Sequence, residues 1–289
     1  MPLIALTNDK LFLEISPEMG GSITKFQNLK SKKNIFRPFS NKKKIIKKNC
    51  YFASYFATVP YFGAIQKKSF LYKNKFISLP KTHPLEPDTI HGEGWVSKWK
   101  VKSKSTSSTE LVFNHHGKKG FPFKYQVNQQ FILKNKSLCI NISIVNKDKE
   151  SFNCGIGFHP WFNIHKNSKI FSNNFSYIEE HKKNIFKKKL FSNKKSLDLN
   201  KYKIDKTFIN WNGRSKLAID KDTAIEIINI KNIHNLHVYS PPKENFFCIE
   251  PVTNIGDAYN IKKYSKIYQG LKELKSNKKF EAKVEFRLI

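Results

Sequence analysis

Residues 281–288, close to the C-terminus, read E-A-K-V-E-F-R-L, with apolar and charged residues alternating along the whole stretch. The apolar residues are Ala282, Val284, Phe286 and Leu288, and the charged ones are Glu281, Lys283, Glu285 and Arg287. Because successive side chains of a strand point to opposite faces, this alternation predicts a β-strand with one buried and one solvated face. Such a strand needs neighbours to cover its apolar face, so the stretch favours a β-sheet protein.

Several other segments share this character. Further alternating sets are Tyr125, Val127 and Gln129 leading into Phe131, and Leu138, Ile140, Ile142 and Ile144; short apolar runs stand at Leu236–Tyr239 and Phe246–Ile249. Turn signals separate them at Gly20-Gly21, Gly117, Gly120 and Asn212-Gly213. We therefore predict an all-β fold, a large antiparallel β-sandwich forming a single domain over residues 1–289. Two Lys/Asn-rich segments, Asn41–Lys48 and His181–Lys195, are expected to be surface insertions.

The amino-acid composition is rich in aromatic residues, which agrees with many strands, and it is strongly basic. The 25 Phe and 11 Tyr residues suit half-buried strands, and the formal net charge is +31. Arg37, Arg214 and Arg287 are the only arginines, although proteins that read phosphate or guanine favour Arg for its bidentate fork. We interpret the charge as solvated Lys, which predicts only non-specific, salt-sensitive binding of nucleic acid.

The four cysteines and the N-terminus bear on the compartment. The cysteines stand at positions 50, 139, 154 and 248 without C-x-x-C spacing, so they are interpreted as reduced small hydrophobes. The N-terminus lacks the apolar run of a secretory signal, and no segment approaches the roughly 18 apolar residues of a membrane span. These features predict a cytoplasmic protein with no membrane partner.

Familiar catalytic motifs are missing from the sequence. It contains no G-x-S-x-G nucleophile elbow, no G-x-x-x-x-G-K-[ST] phosphate loop and no G-x-G-x-x-G. The adjacent pair His115-His116 would point to opposite faces of a strand, so it is interpreted as solvated and not as a metal site.

Three segments combine polar and apolar residues in ways that suit a binding site. In D-T-I-H-G-E-G-W, residues 88–95, His91 lies among glycines near Trp95 and Trp99; an exposed turn with two core tryptophans explains it equally well. In G-I-G-F-H-P-W-F, residues 155–162, His159 has apolar neighbours, which predicts a buried histidine whose lowered pKa still allows switching near neutral pH; a satisfied core histidine explains the pattern about as well. The third segment is F-F-C-I-E-P, residues 246–251. Burying Glu250 would be costly unless it is paired or functional, whereas a solvated strand end would cost nothing.

The order and wording of these segments resemble the aldose 1-epimerase (galactose mutarotase-like) family. The resemblance rests on T-I-H-G-E-G-W, G-F-H-P-W-F, D-K-T-F-I-N-W-N-G, V-Y-S-P-P and F-F-C-I-E-P-V-T-N, and it extends from about residue 3 to the last strand. It implies the family's large antiparallel β-sandwich, or supersandwich. It also implies an isomerase of carbohydrate metabolism that interconverts the α and β anomers of a free aldohexose such as glucose or galactose, with no cofactor and no metal.

The resemblance also implies roles for individual residues. Glu250 matches the general base on O1, and His159 matches the acid that serves the ring oxygen. His91 matches a second histidine near that oxygen, and Asp205 matches a substrate-binding aspartate. Trp161, in the His-Pro-Trp-Phe segment, is expected to contact the sugar.

One departure from the family pattern concerns substrate binding. Gly63 and Ala64 occupy the positions where the family carries an Asn-Arg pair, and Gln66 or Lys67 could replace the missing hydrogen bonds. The resemblance therefore leaves two alternatives open: a hexose-6-phosphate 1-epimerase, and a non-catalytic carbohydrate-binding protein of the same fold.

Overall fold

The computed structural model describes residues 3–39, 50–84, 86–117, 120–182, 185–241, 244–261 and 270–289. The first twelve strands are β1 Ile4–Thr7, β2 Leu11–Ser16, β3 Ser22–Asn28, β4 Tyr55–Thr58, β5 Ala64–Ile65, β6 Ser69–Tyr72, β7 Lys75–Ser78, β8 Thr89–Ile90, β9 Lys100–Lys104, β10 Ser108–His116, β11 Lys124–Lys134 and β12 Ser137–Asn146. The others are β13 Phe152–Cys154, β14 Gly157–Asn163, β15 Lys169–Phe171, β16 Ser176–Lys182, β17 Ile185–Leu190, β18 Ser196–Asp198, β19 Ile204–Phe208, β20 Arg214–Ala218, β21 Ala224–Lys231, β22 Asn235–Ser240, β23 Phe246–Val252, β24 Lys272–Leu274 and β25 Lys279–Leu288. Short 3₁₀ helices occupy Cys50–Phe52, Gln66–Lys68 and Gly94–Val96, and one short helix, α1, spans Ala258–Ile261.

Two large sheets contain most of these strands. The ten-stranded sheet has the order β1-β2-β3-β4-β14-β23-β22-β19-β16-β17, and the nine-stranded sheet has the order β18-β15-β20-β21-β25-β12-β11-β10-β9. Neighbouring strands run antiparallel in both sheets. Three small two-stranded sheets, β13-β24, β5-β8 and β6-β7, complete the described part of the chain.

The two large sheets pack face to face over one hydrophobic core. Tyr55 of the ten-stranded sheet packs against Phe131 of the nine-stranded sheet, with ring centroids 6.1 Å apart. Phe36 connects the layers, 5.3 Å from Phe162 and 5.2 Å from Phe286. The predicted alternation of the last strand is confirmed, because Ala282, Val284 and Phe286 are buried and their neighbours are partly exposed. The fold is thus the predicted antiparallel β-sandwich.

The centre of the ten-stranded sheet has a second apolar layer on its outer face. On β14 and β23, Phe158, Phe162, Phe247 and Ile249 enter the core between the sheets. The residues between them, including Trp161 and Cys248, point outward. There these two residues form a separate buried cluster with Phe56, Trp95 and Cys50. This cluster explains the long apolar runs of these two strands, since both of their faces are covered.

Several local predictions can now be assessed. The segment His181–Lys195 is not a loop insertion: it contains the end of β16 and all of β17, which form a hairpin at the edge of the ten-stranded sheet. Asn41–Lys48 lies outside the described residues. His115 and His116 do point to opposite faces, but only His116 is solvated as predicted. His115 is buried, and its Nδ1 lies 3.0 Å from the Phe123 carbonyl oxygen. Trp95 and Trp99 are core residues.

The cysteines and helices complete the description. All four cysteines are buried, as expected of small hydrophobes, and Cys139, Cys154 and Cys248 are free thiols. Within the described ranges, no helix has the length and apolar character needed to cross a bilayer.

Candidate active site

The register of two adjacent strands, β14 and β23, places the sequence-predicted residues His159 and Glu250 side by side. On β14 and β23, Gly157 is opposite Val252 and Trp161 is opposite Cys248, so His159 and Glu250 are cross-strand neighbours between these pairs. His159 Nε2 lies 3.3 Å from Glu250 Oε1. The imidazole and the carboxyl, 91 positions apart in sequence, therefore form one pair on the outer face of the sheet.

This pair belongs to a cross-strand row of side chains that we call the polar row. Its members, in order across β14, β23, β22 and β19, are His159, Glu250, His237 and Thr207. On β4, Phe56 lies beside His159 and ends the row. His237 is directly opposite Glu250, and Thr207 is directly opposite His237. Since the register is set by backbone ladders in the middle of a sheet, these side chains have rigid supports.

His159 is packed between aromatic rings. Its ring lies 4.3 Å from Phe56 and 5.0 Å from Trp161, and the residue is only 5% exposed. This burial lowers the pKa of His159 well below 6.5, and the charges of His91 and His237 lower it further. Its Nδ1 is buried without a hydrogen-bond partner among the described residues. The predicted burial of His159 is confirmed, but its pKa lies farther below neutral pH than expected, and the orphaned Nδ1 contradicts the alternative of a satisfied core histidine.

Glu250 is more deeply buried than its partner. It is 1% exposed, and its Oε2 atom has no hydrogen-bond partner within the described part of the chain. Burial raises the pKa of Glu250 well above 4.5, and the charge of Asp205 adds to the effect. The alternative of a solvated strand end is therefore wrong. The raised pKa of Glu250 and the lowered pKa of His159 both favour the uncharged forms of the two side chains.

His91 approaches the pair from the loop that follows β8. Its φ of 61° is a left-handed conformation, and its Nδ1 accepts a hydrogen bond of 3.1 Å from the backbone N–H of Gly63. Burial lowers the pKa of His91 to about 3, so its ring is neutral near pH 7. Because Nδ1 accepts, the ring proton is on Nε2, and His91 is fixed as a hydrogen-bond donor. Because His91 is only 6% exposed, the exposed-turn alternative is wrong.

Sequence reasoning missed His237. Its Nε2 lies 3.4 Å from Asp205 Oδ1 and its Nδ1 lies 3.0 Å from Thr207 Oγ1. Burial lowers its pKa to about 4, although the charge of Asp205 acts in the opposite direction. The signal was present in the strand predicted at Leu236–Tyr239, because alternation places His237 on the face opposite the core residues Leu236 and Val238.

The other three predicted binding residues line the same cleft, which measures about 1070 Å³. The Asp205 side chain is 76% exposed, and Gln66 is an exposed residue whose backbone N–H binds Asp257. Trp161 is buried, and its ring packs against His159 and against the Arg37 guanidinium, 4.3 Å away. Its Nε1–H is buried and has no hydrogen-bond partner among the described residues.

Gly63 and Ala64 also line this cleft. Gly63 has φ +80°, and a Cβ at this position would lie 2.7 Å from Gly256 Cα, so the backbone excludes an Asn here without rearrangement. The N–H of Gly63 instead orients His91. In this chain the position therefore supports a neighbouring histidine through its backbone and supplies no side chain to the cleft.

Comparisons with known proteins agree with this architecture. Residues 2–287 match the aldose 1-epimerase family. The uncharacterised protein YphB of Escherichia coli (strain K12) is 23% identical over 222 residues, which cover 72% of this chain and 76% of YphB. A galactose mutarotase-like protein from Clostridium acetobutylicum superposes with a TM-score of 0.84 at 18% identity, covering 99% of this chain and 95% of that one. For galactose 1-epimerase from Lactobacillus acidophilus NCFM the TM-score is 0.75 at 14% identity, with 99% and 94% covered.

The sandwich and its outer-face cleft thus define a protein with the galactose mutarotase-like fold. The family match covers nearly the whole chain, and the chain belongs to the aldose 1-epimerase family.

The buried histidines should make the protein sensitive to acid. In the unfolded chain, histidines take up protons below pH 6.5, whereas folded His91 and His237 remain neutral down to about pH 3 and about pH 4. Their stabilising contribution is therefore complete above pH 6.5 and is lost as the pH falls toward 4. The expected loss in unfolding free energy is up to roughly 1.4 kcal/mol per pH unit for each histidine.

Urea unfolding between pH 4.5 and 7.5 measures this slope. His237→Gln should make the slope shallower by about one proton, relative to the exposed control His116→Gln. Equal slopes in the wild type and in the His237→Gln variant would contradict the lowered pKa of His237 in the folded protein.

Proposed function

We propose that the protein is an isomerase that interconverts the α and β anomers of a free aldohexose, with Glu250 and His159 as the catalytic acid–base pair. The observation that carries the proposal is the 3.3 Å approach of His159 Nε2 to Glu250 Oε1 in a buried row that opens to a cleft. Anomer interconversion needs one group to remove the proton on O1 and another to protonate the ring oxygen. A pair that shares a single proton can do both.

The proton balance of the reaction matches the charge of the pair. In the reactive arrangement Glu250 is the carboxylate and His159 holds the proton on Nε2. As the C1–O5 bond breaks, its electron pair goes to O5 with the proton from His159, Glu250 takes the O1 proton, and C1=O1 forms. Glu250 is then protonated and His159 neutral, the arrangement that burial favours. After rotation about C1–C2 the same transfers reverse, and the ring closes as the other anomer.

The surrounding groups support this cycle. The Nε2–H of His91 is placed to donate to an oxygen of the sugar, because its Nδ1 is already used by Gly63. Asp205, held near His237, is an exposed acceptor for sugar hydroxyls at the other side of the polar row. Trp161 packs against His159 in the wall of the cleft, and Gln66 also lines the cleft.

The charges of the cleft favour a free sugar over a phosphorylated one. Besides Glu250, the acidic lining residues are Glu86, Glu179, Glu180, Asp205 and Asp257. The basic ones are Lys67 and Lys206, and the lining as described includes no arginine. Carboxylates thus outnumber ammonium groups around the cleft of a chain whose net charge is +31. A phosphate dianion would be repelled here, which opposes the hexose-6-phosphate alternative.

We therefore expect kcat/KM for glucose 6-phosphate to be lower than for glucose by roughly tenfold or more, about 1.4 kcal/mol in transition-state free energy. Coupled kinetic assays started from a single anomer of each sugar measure this ratio. Raising the ionic strength should narrow the difference by screening the carboxylates. A preference for the phosphorylated sugar would overturn the assignment of substrate class.

Polarimetry tests the catalytic proposal itself. Freshly dissolved α-glucose or α-galactose should reach its equilibrium rotation faster in proportion to enzyme concentration. If the sugars bind but the rotation relaxes at the uncatalysed rate, the protein is a carbohydrate-binding member of the fold and the proposal is wrong.

A further inference from the structure

A third reactive side chain lies against the catalytic pair and takes no part in the proton transfers. Cys248 is two residues before Glu250 on β23, so both side chains point to the outer face of the sheet. It is opposite Trp161 on β14 and Tyr239 on β22. The ligand atoms of His159, Cys248 and Glu250 all lie within 4.8 Å of one another, and all three residues are buried.

These donors suit a soft or borderline divalent cation. Thiolate, imidazole and carboxylate are the ligand types of zinc sites, with bonds of about 2.3 Å to sulfur and about 2.0–2.2 Å to nitrogen and oxygen. Tetrahedral geometry with these lengths separates the donors by roughly 3.3–3.8 Å, so the existing cluster would contract by about 1 Å. Two anionic ligands and one neutral ligand also balance the charge of Zn²⁺, which lowers the cost of burying the ion.

A second observation points to a ligand at this position. Glu250 Oε2 is buried without a hydrogen-bond partner among the described residues, which is costly for a polar atom. Glu250 and His159 also line the cleft, so an ion can enter from solvent and keep one coordination position open toward it. Supports on two neighbouring strands hold the three side chains in place.

We propose that His159, Cys248 and Glu250 form a binding site for a thiophilic divalent cation, typified by Zn²⁺, that inhibits the enzyme reversibly. Binding displaces the thiol proton of Cys248 and the proton shared by the pair. Because the ion occupies both proton-transfer groups, metal binding and anomer interconversion exclude each other. The binding site stands on the geometry alone, and only the inhibition rests on the proposed function.

Cobalt is the direct probe, because a Co²⁺–thiolate bond gives a charge-transfer absorption that needs no activity assay. Co²⁺ added to the reduced wild-type protein should produce this band with one equivalent bound, and added Zn²⁺ should remove it. Cys248→Ser should abolish the band. Cys139→Ser, which alters a buried cysteine on β12 in the other sheet, should keep it. Absence of the band in the wild type, or its persistence in Cys248→Ser, would overturn the proposal.

The activity arm tests inhibition. Zn²⁺ should lower the anomerisation rate of the wild type, and a chelator should restore it. In Cys248→Ser the inhibition constant for Zn²⁺, measured against the metal-free rate of the same variant, should rise by roughly tenfold or more, because one of three ligands is lost. Should the serine variant fold poorly by thermal melting, Cys248→Ala replaces it. A cobalt band in a protein without measurable epimerase activity would support the metal site and count against the proposed function.

Discussion

Replacing Glu250 with Gln should lower the rate of anomer interconversion by roughly 10²–10⁴, the usual contribution of one positioned proton-transfer group. The amide has the shape of the protonated carboxyl that burial favours, so the fold and the packing of the polar row should remain. It cannot accept the O1 proton, and the loss should therefore appear in kcat. Polarimetry or anomer exchange measured by NMR gives the rate, and thermal melting verifies the fold.

The matched control is Glu180→Gln, which removes a carboxyl that lines the same cleft but lies on β16, outside the polar row. It should change the rate by less than about tenfold. If the two variants lose activity to a similar degree, the charge of the cleft matters and the position of Glu250 does not.

Replacing His159 with Phe should cause an equally large loss, roughly 10²–10⁴ in kcat. The Phe ring can maintain the contacts with Phe56 and Trp161 that hold the imidazole, so the substitution removes the proton carrier and preserves the aromatic packing. Sugar binding measured by calorimetry should persist in this variant. An active His159→Phe enzyme would show that another group protonates the ring oxygen.

The strands of this protein could be predicted from sequence wherever one face is buried and the other is exposed to solvent. β11 and β25 show the period of two expected of such strands, because buried and more exposed residues alternate along them. In β12 the apolar residues alternate as predicted, but most of the residues between them are buried as well. The hairpin β16–β17 lies at the edge of its sheet and carries many Lys residues, so its sequence resembles a loop. Composition alone cannot separate an exposed edge strand from a surface insertion.

The site was predictable in part. Burial of His159 and the cost of burying Glu250 follow from their apolar neighbours, but their contact follows from the register of β14 against β23, which no local pattern specifies. The Gly63 N–H that fixes the tautomer of His91 is a backbone group, so the identity of the side chains does not predict this hydrogen bond. The apolar residues of β22 predict the strand, whereas only the alternation along it places His237 on the face of the site.

The central claim is that His159 and Glu250 act as one unit sharing one proton, and a double-mutant cycle tests it most directly. Anomerisation rates should be measured for the wild type, Glu250→Gln, His159→Phe and the double variant under the same conditions. We expect the double variant to be about as slow as the slower single variant, because either change already disables the pair. Losses that multiply in the double variant, or a wild type that does not accelerate the reaction, would contradict it.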